Sequence, residues 1–184
     1  ERAALDDWLA RNADVPVVVF GYALGRAQEV QHLLAASQER DRVFVSEAIG
    51  RLNQVIEDHL DATFAVEPWD GDVDLGAGDA LVMPSGTSGF AWAERLIEET
   101  GAVTAGLSGW AVDSSYKYAN GFDETFVLSD HCDFAELVAL VRAVDPEEVY
   151  TLHGSARAFA QYLTKEEGYH ATALERNQTS LSEF

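Results

Sequence analysis

The strongest constraint on the fold is a unit that recurs along the chain: an apolar run, a turn and then a helical pattern. The first copy has the β-branched run Val15–Phe20, the turn Gly21–Gly25 and a helical pattern that continues through Leu34. A continuous apolar run is typical of a strand that is buried on both faces. Alternation of such strands with helices predicts an α/β fold, a mostly parallel sheet flanked by helices.

Further copies of this unit predict the elements of the rest of the chain. Strands are expected at residues 43–45, 80–83, 102–105, 122–128, 149–152 and 169–173. Helices are expected at residues 47–60, 90–99 and 156–163, and along the apolar stripe formed by Phe134, Leu137, Val138 and Val141. An amphipathic helix is also expected at the start, where Leu5, Trp8 and Leu9 share one face.

Two segments show neither a helical pattern nor an apolar run typical of a strand. Val66–Gly78 is rich in Gly and Asp and is predicted to be a surface loop. Ser108–Gly121 is polar and bounded by glycine, so we predict a domain boundary there, dividing the chain into residues 1–120 and 121–184.

The charge balance indicates the ionic environment that suits the protein. Acidic residues number 32 and basic residues 12, which gives a formal net charge of −20, while 47% hydrophobic content argues against disorder. Self-repulsion of such a surface is relieved by salt, since the Debye length falls to about 3 Å at molar concentration. We therefore expect a folded protein of a high-salt cytoplasm, as in a halophilic archaeon. An ordinary acidic protein is the alternative.

Other global features point to the cytoplasm. The chain has one cysteine, Cys132, so no intrachain disulfide is expected, and a buried, inert thiol is the simplest role for it. No long apolar stretch or signal peptide is present, and no membrane partner is expected. The sequence opens without Met inside a helical pattern, which suggests a fragment of a longer protein.

Two histidines follow predicted strands in similar turns. His131 stands between Asp130 and an Asp-x-x-Glu signature that predicts a helix start at Asp133. His153 precedes Gly154 and the next helix. If both strands are parallel members of one sheet, both imidazoles lie at its carboxyl edge, where α/β sheets bind ligands. The alternative is that each imidazole only bonds a neighbouring carbonyl.

Two glycine-containing turns are candidate phosphate sites. The sequence "GYALGR" matches neither the dinucleotide nor the P-loop motif. A helix start with free N–H groups at Gly25 and the cation of Arg26 can still bind a backbone phosphate. Ser85, in "PSGTSGF", begins a second such turn. The alternative for both is a tight turn that needs glycine for its backbone conformation.

Four stretches, "VFGYALGRAQEVQHLL", "LSGW", "FVLSDHCDFAELVALV" and "VYTLHG", together resemble the β-CASP branch of the metallo-β-lactamase fold. That branch consists of nucleases and includes mRNA 3′-end processing factors and ligase-associated exonucleases. The resemblance implies that residues 1–120 are a β-CASP domain and that residues 121–184 are the returning carboxyl-terminal βα segment of the lactamase-like domain. It further implies a zinc-dependent nuclease that acts on RNA or single-stranded DNA.

The resemblance also assigns residue roles. His131 would protonate the leaving group, Asp130 would orient an imidazole, and His153 would bind one of two zinc ions. Arg26 and Lys117 would line a groove for nucleic acid. The family's main metal motif, His-x-His-x-Asp-His, is absent from these residues, so the fragment alone is expected to be inactive.

Two other functions stay open. One is a non-catalytic nucleic-acid-binding or assembly module, which upstream sequence without zinc ligands would favour. The other is an unrelated doubly wound ligand-binding domain, which the failure of both nucleotide motifs disfavours. The oligomeric state, including a homo-oligomer, and the choice between RNA and DNA are not readable from the sequence.

Overall fold

The chain forms two compact units. The structure, a computed structural model, describes residues 2–129 and 131–174. The division between the units falls after His131, giving an amino-terminal unit and a carboxyl-terminal unit that begins at Cys132. In the described ranges, no helix has the length and apolar character that crossing a membrane requires.

One parallel sheet organises the amino-terminal unit. Its strands, as far as the described residues go, are β1 (Val17–Gly21), β2 (Arg42–Ser46), β3 (Glu67–Trp69), β4 (Asp79–Pro84), β5 (Val103–Leu107) and β6 (Glu124–Phe126). They lie in the order β3-β2-β4-β1-β5-β6, and every neighbouring pair is parallel. We call this the large sheet. The predicted fold class, a mostly parallel sheet flanked by helices, is confirmed.

Helices cover both faces of the large sheet. They are α1 (Arg2–Arg11), α2 (Arg26–Ala36), α3 (Glu47–His59), α4 (Ala91–Thr100) and α5 (Ser115–Asn120). Val17 and Val19 join the core beneath α1, α2 and α3, whereas Val18 and Phe20 join the core beneath α4. This alternation follows from the period of two along a strand. It explains why the β1 sequence is apolar at every position.

Two elements lie where the sequence predicted loops. β3 falls inside the predicted loop Val66–Gly78 and pairs with β2 at one side of the large sheet. Its three residues are too few to produce a recognisable strand pattern. α5 falls inside Ser108–Gly121 and is capped by Gly121, which has a φ of 68°. The compact units divide later than the predicted boundary at residue 120, because β6 pairs with β5. The assignment of the two parts to family domains stays a prediction.

The carboxyl-terminal unit is small. Its described elements are α6 (Phe134–Val144), β7 (Glu148–Thr151), α7 (Ala156–Lys165) and β8 (His170–Ala173). β7 and β8 pair in parallel and form the small sheet. The predicted capping box at the start of α6 is confirmed: the Asp133 carboxylate accepts the N–H of Glu136, and the Glu136 carboxylate accepts the N–H of Asp133.

Candidate functional site

The carboxyl edge of the large sheet gathers loops that are distant in sequence. Because all its strands are parallel, the segments that follow β1, β4, β5 and β6 all start at this edge. Gly25 and Ser85 lie in the first two of these segments, and His131 lies in the last. The structure therefore places three predicted site residues in loops of one sheet edge.

A buried amide network holds the loop after β1. The Gln28 side chain accepts the N–H of Gly25 at 2.7 Å and donates to the Ala23 carbonyl at 3.2 Å. Gln28 also donates to Asn53 of α3 at 2.9 Å, and Asn53 donates to Gln31 at 2.6 Å. All three amide side chains are buried. Gly25 itself has a φ of 85°, a conformation that favours glycine. Sequence reasoning missed this network, although "GRAQEVQ" contains two of its members.

Arg26 is less accessible than the sequence suggested. Only 2% of the residue is exposed, and its guanidinium carbon lies 4.7 Å from the centre of the Tyr22 ring. Such a contact is a favourable cation–π arrangement. A phosphate would reach this guanidinium only after the covering groups had moved. The phosphate contact at Arg26 therefore stays a prediction, and it requires a local rearrangement.

The segment after β4 forms a 3₁₀ turn at Ser85–Thr87, and α4 then starts at Ala91. The Thr87 hydroxyl donates to the Pro84 carbonyl at 2.7 Å, and the Ser88 hydroxyl donates to the Ser85 carbonyl at 3.1 Å. The first N–H groups of any α-helix lack partners within that helix, and the helix dipole makes this end partly positive. Ser85 is partly exposed in this segment, and its contact with a phosphate stays a prediction.

The Ser-Asp-His turn is held by the segment after β5. The Ser129 hydroxyl accepts the N–H of His131 at 3.2 Å, and the N–H of Leu128 donates to the Ser108 carbonyl at 3.4 Å. A methyl group on Gly109 would lie 3.1 Å from the Ser129 hydroxyl, so the two segments pass close to each other here. His131 is exposed. Asp130, the predicted neighbour, lies outside the described residues.

His153 occupies a sharp turn after β7. It has a φ of 67° and is followed by Gly154 with a φ of 54°. A left-handed conformation costs a residue with a side chain about 1–2 kcal/mol, and such strain is often found at functional sites. The His153 side chain is exposed beside a cavity of about 480 Å³ within the carboxyl-terminal unit, lined by apolar residues that include Phe134 and Tyr150.

The two histidines do not belong to one sheet. β6 lies in the large sheet, whereas β7 pairs with β8 in the small sheet, so the expectation of one shared sheet edge is wrong. Across residues 2–129 and 131–174, no group of three or more His, Cys, Asp or Glu side chains is arranged to hold a metal ion. Zinc sites in proteins use three or four such ligands. The described residues therefore do not by themselves fit a zinc ion.

The settings of Lys117 and Cys132 were not visible in the sequence. The Lys117 ammonium lies 3.3 Å from the Glu124 carboxylate, at the first residue of β6. Lys117 belongs to the segment that follows β5, and its contact with nucleic acid stays a prediction. Cys132 is exposed, so the expectation of a buried thiol is wrong.

An aromatic cleft at the same edge was not anticipated from the sequence. A cavity of about 580 Å³ lies at the carboxyl ends of β2, β3 and β4, and Trp69 and Trp92 are among its lining residues. Phe90 contacts Trp92 and is 52% exposed. The sequence signal was "GFAW", an aromatic pair directly after the glycine-rich turn.

Comparison with known proteins gives two matches. Residues 124–174, a stretch that contains both His131 and His153, match the family model described as RMMBL, the Zn-dependent metallo-hydrolase RNA specificity domain. The chain is also 35% identical over 166 residues to a probable DNA ligase of Opitutus terrae. That alignment covers 89% of this chain but only 15% of the relative. The matches support a relationship to metallo-hydrolases that act on nucleic acids.

Proposed function

We propose that this chain is part of a zinc-dependent nuclease that hydrolyses phosphodiester bonds in RNA or single-stranded DNA, in the manner of an exonuclease of the mRNA 3′-end processing type. The observation that carries the proposal is the family match over residues 124–174, because it spans both histidine turns. The name of the relative, a probable DNA ligase, fits a role on DNA strands and keeps DNA among the substrates.

The proposal gives the site residues distinct tasks. His131 donates a proton to the leaving oxygen, a step worth about 10²–10⁴-fold in rate when a side chain is well placed. Asp130 orients an imidazole, and His153 is a metal ligand. A bound zinc ion supplies Lewis-acid chemistry, and the proposal expects two ions. Since the described residues do not fit zinc alone, the other ligands belong to polypeptide outside this chain.

The surface of the carboxyl-terminal unit supports membership of a larger domain. Its described residues include only three buried hydrophobic side chains, those of Val138, Ala160 and Leu163. Its exposed large hydrophobic residues are Phe134, Leu137, Leu140, Val144, Tyr150, Leu152 and Leu174. Exposed apolar surface on this scale marks a surface that another structure covers. A lactamase-like domain completed by upstream polypeptide would cover it.

The cellular setting is also a proposal. A net charge of −20 suits a cytoplasm with molar salt, where self-repulsion and repulsion of phosphates are both screened. Local contacts from Gly25, Ser85 and Lys117 would then hold the strand, and Arg26 would join them once the groups that cover it have moved. Residues 1–120 would correspond to the β-CASP domain.

The decisive experiment compares this chain with the longer gene product. Bound zinc and cleavage of labelled single-stranded RNA and DNA are measured for both at high salt. We expect zinc and cleavage only in the longer protein. In that protein, His153→Ala lowers the zinc content, whereas His131→Ala keeps zinc and slows cleavage about 100-fold or more.

A control and a contrary result sharpen the test. His59→Ala changes an exposed histidine of α3 whose imidazole bonds the Val55 carbonyl in its own helix, so it should leave zinc and cleavage unchanged. Normal cleavage by the His131→Ala protein would remove that residue from the mechanism. If the longer protein binds no zinc and cleaves neither strand, the proposed nuclease function is refuted.

A second function is a non-catalytic nucleic-acid-binding or assembly module. It is favoured by the lack of any metal-holding cluster in the part of the chain that the structure describes. Its signature in the same experiment is binding of labelled strands by the longer protein without cleavage.

A further inference from the structure

The cleft at the ends of β2, β3 and β4 is built around two tryptophans. The ring centres of Trp69 and Trp92 are 6.4 Å apart, and their planes differ by 23°. The Trp69 indole N–H donates to the Val73 carbonyl at 3.3 Å and the ring packs against the core beneath α4, so its orientation is set by the fold. Trp92 is 44% exposed on α4. One wall is therefore held by the core and the other is partly open to solvent.

This arrangement fits a planar ring that stacks on the indoles. The 6.4 Å between their centres is typical of two aromatic rings that pack on each other. The room for a base is the cavity of about 580 Å³ that both indoles line. Phe90 meets Trp92 edge-on, with planes 61° apart, and extends the aromatic surface outward.

The chemistry of the cleft favours an uncharged ring over a phosphate. Glu47 and Asp70 stand at the rim, where they would repel an anion. Glu47 is bonded to Arg51, and the Asp70 carboxylate accepts the N–H of Asp72 at 3.0 Å. A carboxylate is a suitable acceptor for an amino group of a base. The Ser85–Thr87 turn borders the cleft through Thr87 and has no acidic side chain, so it does not add to this repulsion.

We propose that the cleft lined by Trp69 and Trp92 is a slot that stacks one unpaired nucleobase of a single-stranded nucleic acid. Unpaired bases are the ones that can leave their neighbours and stack on protein aromatics. The inference rests on the proposed function and adds to it a base-binding subsite on the amino-terminal unit. None of the predicted site residues forms this slot.

The test uses this chain and a fluorescein-labelled single strand of about 12 nucleotides, a length comparable with known single-strand sites. Fluorescence anisotropy gives the Kd for wild type, Trp92→Ala and Trp92→Phe. A second strand has the same sugar-phosphate backbone but abasic positions throughout. Tyr118→Ala is the matched control, because Tyr118 is an aromatic residue that is 82% exposed on α5 and does not line the cleft.

We expect Trp92→Ala to weaken binding of the base-containing strand about tenfold, since removal of a stacking aromatic costs about 1–3 kcal/mol and tenfold corresponds to about 1.4 kcal/mol. Trp92→Phe should retain most of the affinity and Tyr118→Ala all of it. The abasic strand should bind wild type and Trp92→Ala equally, because it has no base to stack. The Trp92 contribution should also persist at high salt, unlike phosphate contacts.

Two results would overturn the inference: equal affinity of wild type and Trp92→Ala for the base-containing strand, or no binding of any strand by this chain. These failures are separable from failure of the nuclease. Cleavage by the longer protein with no effect of Trp92→Ala refutes only the slot. Base-dependent binding without zinc or cleavage supports the slot and refutes the nuclease.

Discussion

The strands of the two units differ in how far they are buried. In the amino-terminal unit, Val17, Val18 and Val19 of β1 are completely buried, because helices cover both faces of the large sheet. In the carboxyl-terminal unit, Tyr150 of β7 is 59% exposed, and Leu152 directly after it is 50% exposed. Both strands belong to parallel pairs, which are normally covered on both faces.

The difference shows which unit has a complete core. A sheet of two strands rarely stabilises itself in water, and a unit this small buries too little apolar surface to offset its conformational entropy. The apolar side of α6, with Leu140 and Val144 exposed, is consistent with a surface made for burial elsewhere. The sequence of the second unit therefore encodes a partial core, whereas the first encodes a whole one.

The largest expected effect comes from separating the units. A protein of residues 1–131 should fold cooperatively, whereas one of residues 132–184 should lack stable tertiary structure. Circular dichroism melting curves and the dispersion of amide NMR signals measure both. A cooperative melting transition of the isolated second unit would show that it too has a complete core.

Gly106→Ala tests the tightness of the complete core. A methyl group at this position of β5 would lie 2.4 Å from the Phe122 ring, which in turn stacks on Phe20. Overpacking of this kind costs about 1–3 kcal/mol, which urea denaturation would reveal. Gly89→Ala is the control, since nothing lies within 4 Å of its added methyl. Equal stabilities of the two variants would mean that this core is loosely packed.

Charges on the exposed side of α6 should have a small effect in this chain. Leu140 and Val144 lie one helical turn apart, so Leu140→Glu with Val144→Glu should change the free energy of unfolding by about 0.5 kcal/mol or less. Binding of a hydrophobic dye should decrease, because the apolar surface is reduced. In the longer protein, the same two substitutions should strongly lower the free energy of unfolding if another part of that protein covers this surface. Ala143→Glu, at an exposed position of the same helix, is the control in both proteins.

The smallest expected effect concerns pH. Two bonds of 2.7 Å from Arg142 to the Glu167 carboxylate lower the pKa of Glu167. A carboxyl group whose pKa is lower in the folded state stabilises that state above its unfolded pKa and loses the contribution as pH falls through the folded pKa. The melting temperatures of wild type and Glu167→Gln should therefore converge on acidification from neutral pH. A constant difference would show that the ion pair is not its source.

The candidate site was only partly predictable. The turns that contain Gly25, Ser85 and His131 could be located, because strand ends and helix caps have local signatures. The burial of Arg26 under Tyr22, the pairing of Lys117 with Glu124 and the approach of Trp69 to Trp92 were not visible in the sequence. These contacts join residues that the fold brings together. Neither the spacing of these residues in the sequence nor a local hydrophobic period predicts such contacts.

The sequence by itself determined the alternation of strands and helices, the buried run of β1 and the capping box at Asp133. Each depends on hydrophobic period or on hydrogen bonds between residues a few positions apart. Only the tertiary structure decided that β6 joins the large sheet while β7 joins the small one, and so that His131 and His153 follow different sheets. A strand can form its backbone hydrogen bonds with any of several segments that are distant in sequence. Which segment it pairs with depends on the packing of the whole chain.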